Sequence, residues 1–278
     1  SFTFHSPKTL SEALKLYAQL DNVKIIAGGT FLINSLKLLK KKGMKTPEHI
    51  VSLRKVSELK GIFEEEGVLM IKAMTTVSDL KESPLLTGNY AVLKIVSKNI
   101  ATTQVRNMAT IGGNLTCRYT WTEFPAVMVA LGANMHFMDK EGCEEILPAE
   151  EFFKNNAKTN KIFTHVSIPK NGSVTVSYQR IKKTPYIDIP LLTFLLASRL
   201  IDGNFSETRV VVNNGVDFVR RDNVLENFLN DKKYSDSLVQ EALINCDTAI
   251  YETRSTEYKK HMFKVVIRKS MEAVGRKS

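Results

Sequence analysis

Cysteine is scarce in this chain. Cys117, Cys143 and Cys246 are the only three in 278 residues. They stand far apart and form no CxxC pair of the kind that iron-sulfur and zinc sites use, so no metal site is expected here. Long apolar runs are missing too. Residues 187–200 make the longest, but Asp188, Pro190, Thr193 and Arg199 interrupt it, and it falls short of the roughly 20 residues that span a bilayer; no membrane span is expected. The opening Ser1-Phe2-Thr3-Phe4-His5-Ser6-Pro7 has neither the basic start nor the apolar core of a secretion signal, and a cytoplasmic location is the corresponding expectation. GxGxxG and the Walker pattern GxxxxGKS/T are both absent, which argues against Rossmann and P-loop folds. The five histidines (His5, His49, His136, His165 and His261) are scattered. No Ser-His-Asp or Cys-His set emerges from them, each reads as a surface or satisfied residue, and no catalytic residue is assigned.

What is present is an ordinary globular composition, 43% hydrophobic and 24% charged, in a length that suits two modest domains better than one. The net charge of +10 fits nucleic acid, an acidic partner or an anionic cofactor equally well. The basic residues are spread over the whole chain rather than interleaved with aromatics, which disfavours a nucleic-acid-binding module. The densest run, Lys40-Lys41-Lys42 followed by Gly43, reads as a helix C-terminus, where cations face the negative end of the macrodipole and glycine ends the helix.

Along the chain, Leu10, Ala13, Leu14, Tyr17 and Ala18 recur at helical spacing and predict a helix over residues 9–20, capped by Thr9 or Ser11. A short β-prone run, 23–27, leads through Gly28-Gly29-Thr30 into a second helical pattern at Leu32, Leu36 and Leu39. Further strands are expected at 49–53, 68–73, 134–138 and 162–168, with helices from Ser78 and over 90–100, and a helix-rich link from the turn at 139–142 through Phe153. The cluster Pro169-Lys170-Asn171-Gly172 marks a domain boundary, giving domains of 1–170 and 171–278. Beyond it, antiparallel strands are expected at 173–180, 189–200 and 207–213, then helices from Val224 onward. No internal repeat is visible.

Two glycine pairs stand out, in Gly28-Gly29-Thr30 and in Thr110-Ile111-Gly112-Gly113-Asn114. Glycine adopts positive φ and lets backbone N–H groups approach a ligand, so each pair could form an anion nest with a helix N-terminus behind it. Each pair could equally be a plain tight turn. Their context separates the two readings. The chain resembles, nearly end to end, the FAD-binding (medium) subunits of the xanthine dehydrogenase and carbon monoxide dehydrogenase family of molybdenum hydroxylases. The resemblance rests on Phe4-His5-Ser6-Pro7, on Ile25-Ile26-Ala27-Gly28-Gly29-Thr30-Phe31-Leu32 and on Ile71-Lys72-Ala73-Met74-Thr75-Thr76. Most specifically, it rests on Arg106-Asn107-Met108-Ala109-Thr110-Ile111-Gly112-Gly113-Asn114-Leu115, and it extends to Arg254-Ser255-Thr256-Glu257-Tyr258 near the C-terminus.

The resemblance implies an α+β fold: a PCMH-type FAD-binding domain of two lobes with FAD extended between them, followed by a smaller C-terminal domain with a three-stranded antiparallel sheet and a helix bundle. It implies that residues 25–32 (Ile25, Ile26, Ala27, Gly28, Gly29, Thr30, Phe31, Leu32) and Thr110, Ile111, Gly112, Gly113 and Asn114 cradle the pyrophosphate and ribityl chain, and that Ile100 packs on the cofactor. Glu123 stands where an Asp usually bonds the adenosine part, or else is a solvated surface carboxylate. Thr164 and Arg180, the latter where Lys is usual, lie beside the flavin ring. Three departures are visible: Phe31 replaces a usual Asp, Lys72 a usual Gly, and residues 117–122 lack the common Ser-Pro. Trp121 in that stretch could stack on a ring, cover an interface or pack in the core. The implied function is electron transfer, from the [2Fe-2S] clusters of an iron-sulfur small subunit, fed by a molybdopterin large subunit, through FAD to NAD or another acceptor. The alternative on the same scaffold is a stand-alone flavin oxidoreductase.

Overall fold

The structure, a computed structural model, describes residues 2–117, 119, 121–154, 160–182, 184–186, 189–252 and 256–276. Ser1, Asp188, Arg254 and Ser255, and positions 118, 120 and 187 of the stretches considered above, lie outside the described residues.

Three sheets organise the chain. The first is short and parallel: β1 (Thr3–His5), β2 (Val23–Ile26) and β3 (His49–Ser52) lie in the order β1-β3-β2. Parallel neighbours need crossovers, and α1 (Leu10–Gln19) and α2 (Leu32–Lys41) supply them. Thr9 caps α1 by accepting from the Glu12 N–H at 3.1 Å, and the helix buries Ala13 and Leu14 against Val51, Leu53 and Val56. The lysine run ends α2 as expected. Gly43 takes φ +66°, its N–H bonds the Lys40 carbonyl at 3.1 Å, and that of Met44 bonds Leu39 at 2.9 Å, the paired closure that a left-handed glycine permits.

The second sheet is antiparallel. Its strands β4 (Ile62–Glu65), β5 (Val68–Lys72), β6 (Asn134–Met138), β7 (Glu144–Pro148) and β8 (Ile162–Pro169) run in the order β4-β5-β8-β6-β7. Between β5 and β6 the chain forms α3 (Val77–Glu82), α4 (Ala91–Asn99), α5 (Thr103–Arg106), α6 (Ile111–Thr116) and α7 (Phe124–Ala130); α8 (Ala149–Lys154) follows β7. The expected helix-rich link is corrected here, because residues 144–148 form an edge strand before α8. The tight turn at Asp139 to Gly142 folds them back on β6, and Glu144 and Ile146 face solvent while Glu145 and Leu147 are half-buried, an alternation too short to declare itself in sequence.

The third sheet consists of β9 (Val174–Lys182), β10 (Pro190–Ile201), β11 (Asn204–Asn213) and the two-residue β12 (Arg220–Arg221), in the order β12-β11-β10-β9. The three long strands are those expected; the short fourth is added at the edge. Both faces of β10 are covered. Leu195 and Ala197 join the core built around β5, β8 and the fully buried α7. Leu192, Phe194 and Leu196, on the alternate face, pack against α9 (Asn223–Leu229), α10 (Asp236–Ala242), α11 (Thr248–Glu252) and α12 (Glu257–Gly275).

Asp222 ties this helical layer together. It is fully buried and accepts from the Leu225 N–H at 2.8 Å, the Asp247 N–H at 3.2 Å and the Tyr251 hydroxyl at 2.6 Å. Burial raises its pKa, and the three donors oppose that rise. Replacing it with alanine strands a helix N-terminus, a loop N–H and a buried phenol at once, a loss of about 3 kcal/mol from these groups. Asp222→Ala is therefore expected to lower the urea midpoint markedly, whereas Asp236→Ala in the exposed first turn of α10 leaves it within error.

Candidate functional site

The first glycine segment leaves the end of β2, where the Leu53 N–H bonds the Ile26 carbonyl at 3.0 Å. Gly29 turns the chain at φ +71°. Gly28 is required for another reason: a Cβ there would lie 1.9 Å from the Met108 carbonyl oxygen and 2.7 Å from its carbon. The two expected loops therefore touch, backbone on backbone. A Cβ on Gly112 would stand 2.7 Å from the Ala73 oxygen, and one on Gly113 3.7 Å from the Ala27 methyl group.

The second segment differs from the expected turn. Thr110 is the N-cap of α6, and both glycines lie within the helix without positive φ. Its N–H groups are already engaged: Ile111 donates to Thr75 at 2.9 Å, Gly112 to Ala73 at 2.9 Å, Gly113 to the Thr110 hydroxyl at 3.1 Å and Asn114 to the Thr110 carbonyl at 3.0 Å. The expected second anion nest is thereby corrected to a flat, glycine-thinned wall. What it offers is Asn114, whose Oδ1 is buried without a partner. The first segment keeps more open backbone donors: Phe31, the N-cap of α2, makes no side-chain cap, and although the Ile33 N–H donates to the Gly29 carbonyl at 3.2 Å, the other leading N–H groups are left for solvent or a ligand.

Between the segments runs a cleft of about 1030 Å³. All of residues 25–32 line it, as do Ile100, Thr110, Gly112, Gly113, Asn114, Glu123 and Arg180. Two expected residues do not. Ile111 is buried in the core behind the wall, and Thr164 lies within the second sheet, donating to the His136 carbonyl at 3.2 Å and bonded to His165 Nδ1 at 3.0 Å. Sequence reasoning missed the cleft's apolar lining, including Met74, Phe137, Ile162, Phe163 and Pro190. It also missed an aromatic cluster on the rim, where Tyr119 and Trp121 stack at 4.1 Å and Phe31 packs on Tyr119 at 4.3 Å.

Glu123 and Arg180 are not independent contacts. Glu123 is 3% exposed and is no surface carboxylate. Its Oε2 accepts from Arg180 Nε at 2.9 Å, and its Oε1 accepts from Thr193 at 3.2 Å and from the Tyr178 hydroxyl. Burial pushes its carboxyl above the usual range, against the pull of Tyr178, Arg180 and Thr193. The pair thus clamps α7 to the third sheet while forming part of the cleft wall. A partly apolar cleft of this size, with helix N–H donors at one segment and an orphaned amide oxygen that accepts from a hydroxyl at the other, fits a dinucleotide-sized ligand carrying a diphosphate, sugar or polyol hydroxyls and flat rings.

Residues 1–171 match the family model described as the FAD binding domain in molybdopterin dehydrogenase. The carbon monoxide dehydrogenase medium chain of Hydrogenophaga pseudoflava is 32% identical over 188 residues, covering 66% of this chain and 64% of that one. The matched stretch is thus under two thirds of that relative's length. The glyceraldehyde dehydrogenase medium chain of Sulfolobus acidocaldarius is 25% identical over 282 residues, 99% of this chain and 98% of the relative. Among solved structures, carbon monoxide dehydrogenase from Hydrogenophaga pseudoflava lacking the Mo-pyranopterin moiety superposes with a TM-score of 0.86 at 27% identity, over 98% of this chain and 96% of that one.

Gly28→Ala is expected to force the two loops apart and to weaken FAD binding at least tenfold. Trp121, the single tryptophan, lines the same cleft, so the quenching of its emission on titration with FAD reads the change directly. Glu123→Ala leaves Arg180 buried without its carboxylate and is expected to cost about 3–5 kcal/mol in chemical unfolding.

Proposed function

Since the chain belongs to the family of FAD-binding domains of molybdopterin dehydrogenases, an FAD-binding oxidoreductase subunit of a multi-subunit assembly, we propose that it relays electrons between [2Fe-2S] clusters held by a partner iron-sulfur subunit and NAD or another acceptor. On this reading a third, molybdopterin-bearing subunit carries out the substrate chemistry. The observation that carries the proposal is the meeting of the two glycine segments across one cleft. Bound FAD supplies two-electron uptake with release one electron at a time, which is what a relay between one-electron centres and a two-electron acceptor needs.

The chain's own task is then to bind, orient and shield. Residues 28–32 would hold the diphosphate on the uncapped first turn of α2, with the Asn114 amide facing them from the opposite segment. Ile100, Phe137 and Phe163 would give apolar cover, and Arg180 would be presented in one rotamer by Glu123. We further propose that residues 1–170 and 171–278 are the two domains of the chain, with the second completing the cleft through Arg180 and Pro190. Among the described residues, no helix is long and apolar enough to cross a membrane.

A tag on this chain should bring down an assembly containing iron and molybdenum, with one FAD per chain. After anaerobic reduction of that assembly, adding NAD or an artificial acceptor should restore the oxidised flavin spectrum. The isolated chain, loaded with FAD, should not be reduced by any substrate of the assembly. Turnover of substrate by the isolated chain, with neither metal co-purifying, would replace this reading with that of a stand-alone flavin oxidoreductase.

A further inference from the structure

The second sheet turns one face to the cleft, through Phe137 and Phe163. Its other face carries a cluster that the flavin site does not use. His136, next to Phe137 on β6, points to the far side of the sheet, and the register shift that leaves Thr164 as an extra residue between Phe163 and His165 brings His165 to the same side as its pair partner His136. Their rings stack at 3.9 Å. Glu144, on the adjacent edge strand β7, places a carboxylate oxygen 3.1 Å from His136 Nδ1. One ligand atom from each of the three residues lies within 4.8 Å of the other two. We propose that His136, His165 and Glu144 form a binding site for a divalent transition cation of the zinc class, with a fourth position left to water.

The surroundings of each histidine favour this role. A ligating imidazole usually has its second nitrogen fixed by a hydrogen-bonding partner, which sets the tautomer and the ring plane. His136 Nε2 is held by the Ser167 hydroxyl at 2.8 Å, leaving Nδ1 toward the cluster. His165 Nδ1 is held by Thr164 Oγ1 at 3.0 Å. The Thr164 hydroxyl donates its proton to the His136 carbonyl, so toward His165 it acts as acceptor. Nδ1 of His165 therefore carries the hydrogen, and Nε2 keeps its lone pair. Lys72, which pairs with His165 across β5 and β8, has its Nζ 5.7 Å from the Phe63 ring centroid.

Two imidazoles and a carboxylate are the donor set that zinc takes with an open position, at bond lengths of about 2.0–2.2 Å. Drawing the three ligand atoms, within 4.8 Å of one another, onto one ion requires the stacked rings to tilt and close, a movement of side chains about their rotatable bonds. Both histidines are buried, while Glu144 is exposed and provides the entry. Such an ion would staple β7, an edge strand, to β6 and β8.

The test uses the full chain with FAD bound, freed of metal by a chelator, and titrated with Zn²⁺ calorimetrically and with Co²⁺ by visible absorption. One ion per chain is expected, with d–d bands of a four-coordinate site and a rise in thermal midpoint on Zn²⁺ addition. Glu144→Gln, a change at an exposed side chain, should weaken binding at least tenfold. His136→Ala with His165→Ala should abolish it, and Cys143→Ser, one residue from Glu144, should leave it unchanged. FAD content per chain controls for folding in every variant. Absence of saturable binding overturns the proposal, and so does one-to-one binding that survives Glu144→Gln and the double histidine change.

Discussion

The cleft exists because two stretches of backbone, remote in sequence, come closer at Gly28 than any side chain would allow. With the Met108 carbonyl 1.9 Å from where a Cβ would stand, the loop after β2 lies directly on the loop before α6. The second close approach, Gly112 on Ala73, carries its own hydrogen bond at 2.9 Å and fixes α6 to the end of β5. Together with the packing of Met74 and Ile162 on Val51 and Leu53, they join the small parallel sheet to the antiparallel one. The remainder of the interface is free to open as a cleft, and a ligand reaching from one segment to the other meets both cores at once.

The third sheet is part of this arrangement rather than an appendage. Its period-two pattern is apolar on both faces, so Leu195 and Ala197 enter the same core as α7 while Phe194 and Leu196 hold the terminal helices. Between these layers the fold buries a charge pair, which is costly unless every oxygen is occupied. Glu123 meets that condition with Tyr178, Thr193 and Arg180. A side chain of the third sheet is thereby held at the cleft wall by a carboxylate from the start of α7, and that wall can be placed only when the third sheet has packed against α7.

How far the sequence discloses this depends on the range of the forces involved. Helix α1 and its cap, the end of α2 at Gly43, the strand that delivers Gly28 and the long antiparallel strands are governed by neighbours a few residues apart, and periodicity and turn chemistry reveal them. The edge strand β7 is too short to be told from a helix by pattern, and only the hairpin with β6 decides it. Gly112 shows the limit of reading a glycine pair as a turn: it is demanded by the Ala73 backbone that packs against it, and no local signal distinguishes that from positive φ. The engagement of Glu123 with Arg180, and the stacking of His136 on His165, join residues far apart in sequence whose individual settings look unremarkable. Both escape a reading that takes each residue alone.

Two of the departures that the resemblance implies, Phe31 for a usual Asp and the altered 117–122 stretch, meet in space. Phe31 stands where Asp is usual, Tyr119 and Trp121 belong to the altered 117–122 stretch, and the three rings form one cluster on the cleft rim. Phe31 is also the N-cap of α2. An aspartate there would be well suited to accept from the first-turn N–H groups and would bring a negative charge to the place proposed for a diphosphate. Phenylalanine does neither. The helix start is left without a side-chain cap, and Phe31 instead packs with Tyr119 and Trp121 on the cleft rim. The exchange moves stabilisation from a side chain to the ligand, so the first turn of α2 should depend on bound cofactor more than it would with the usual residue.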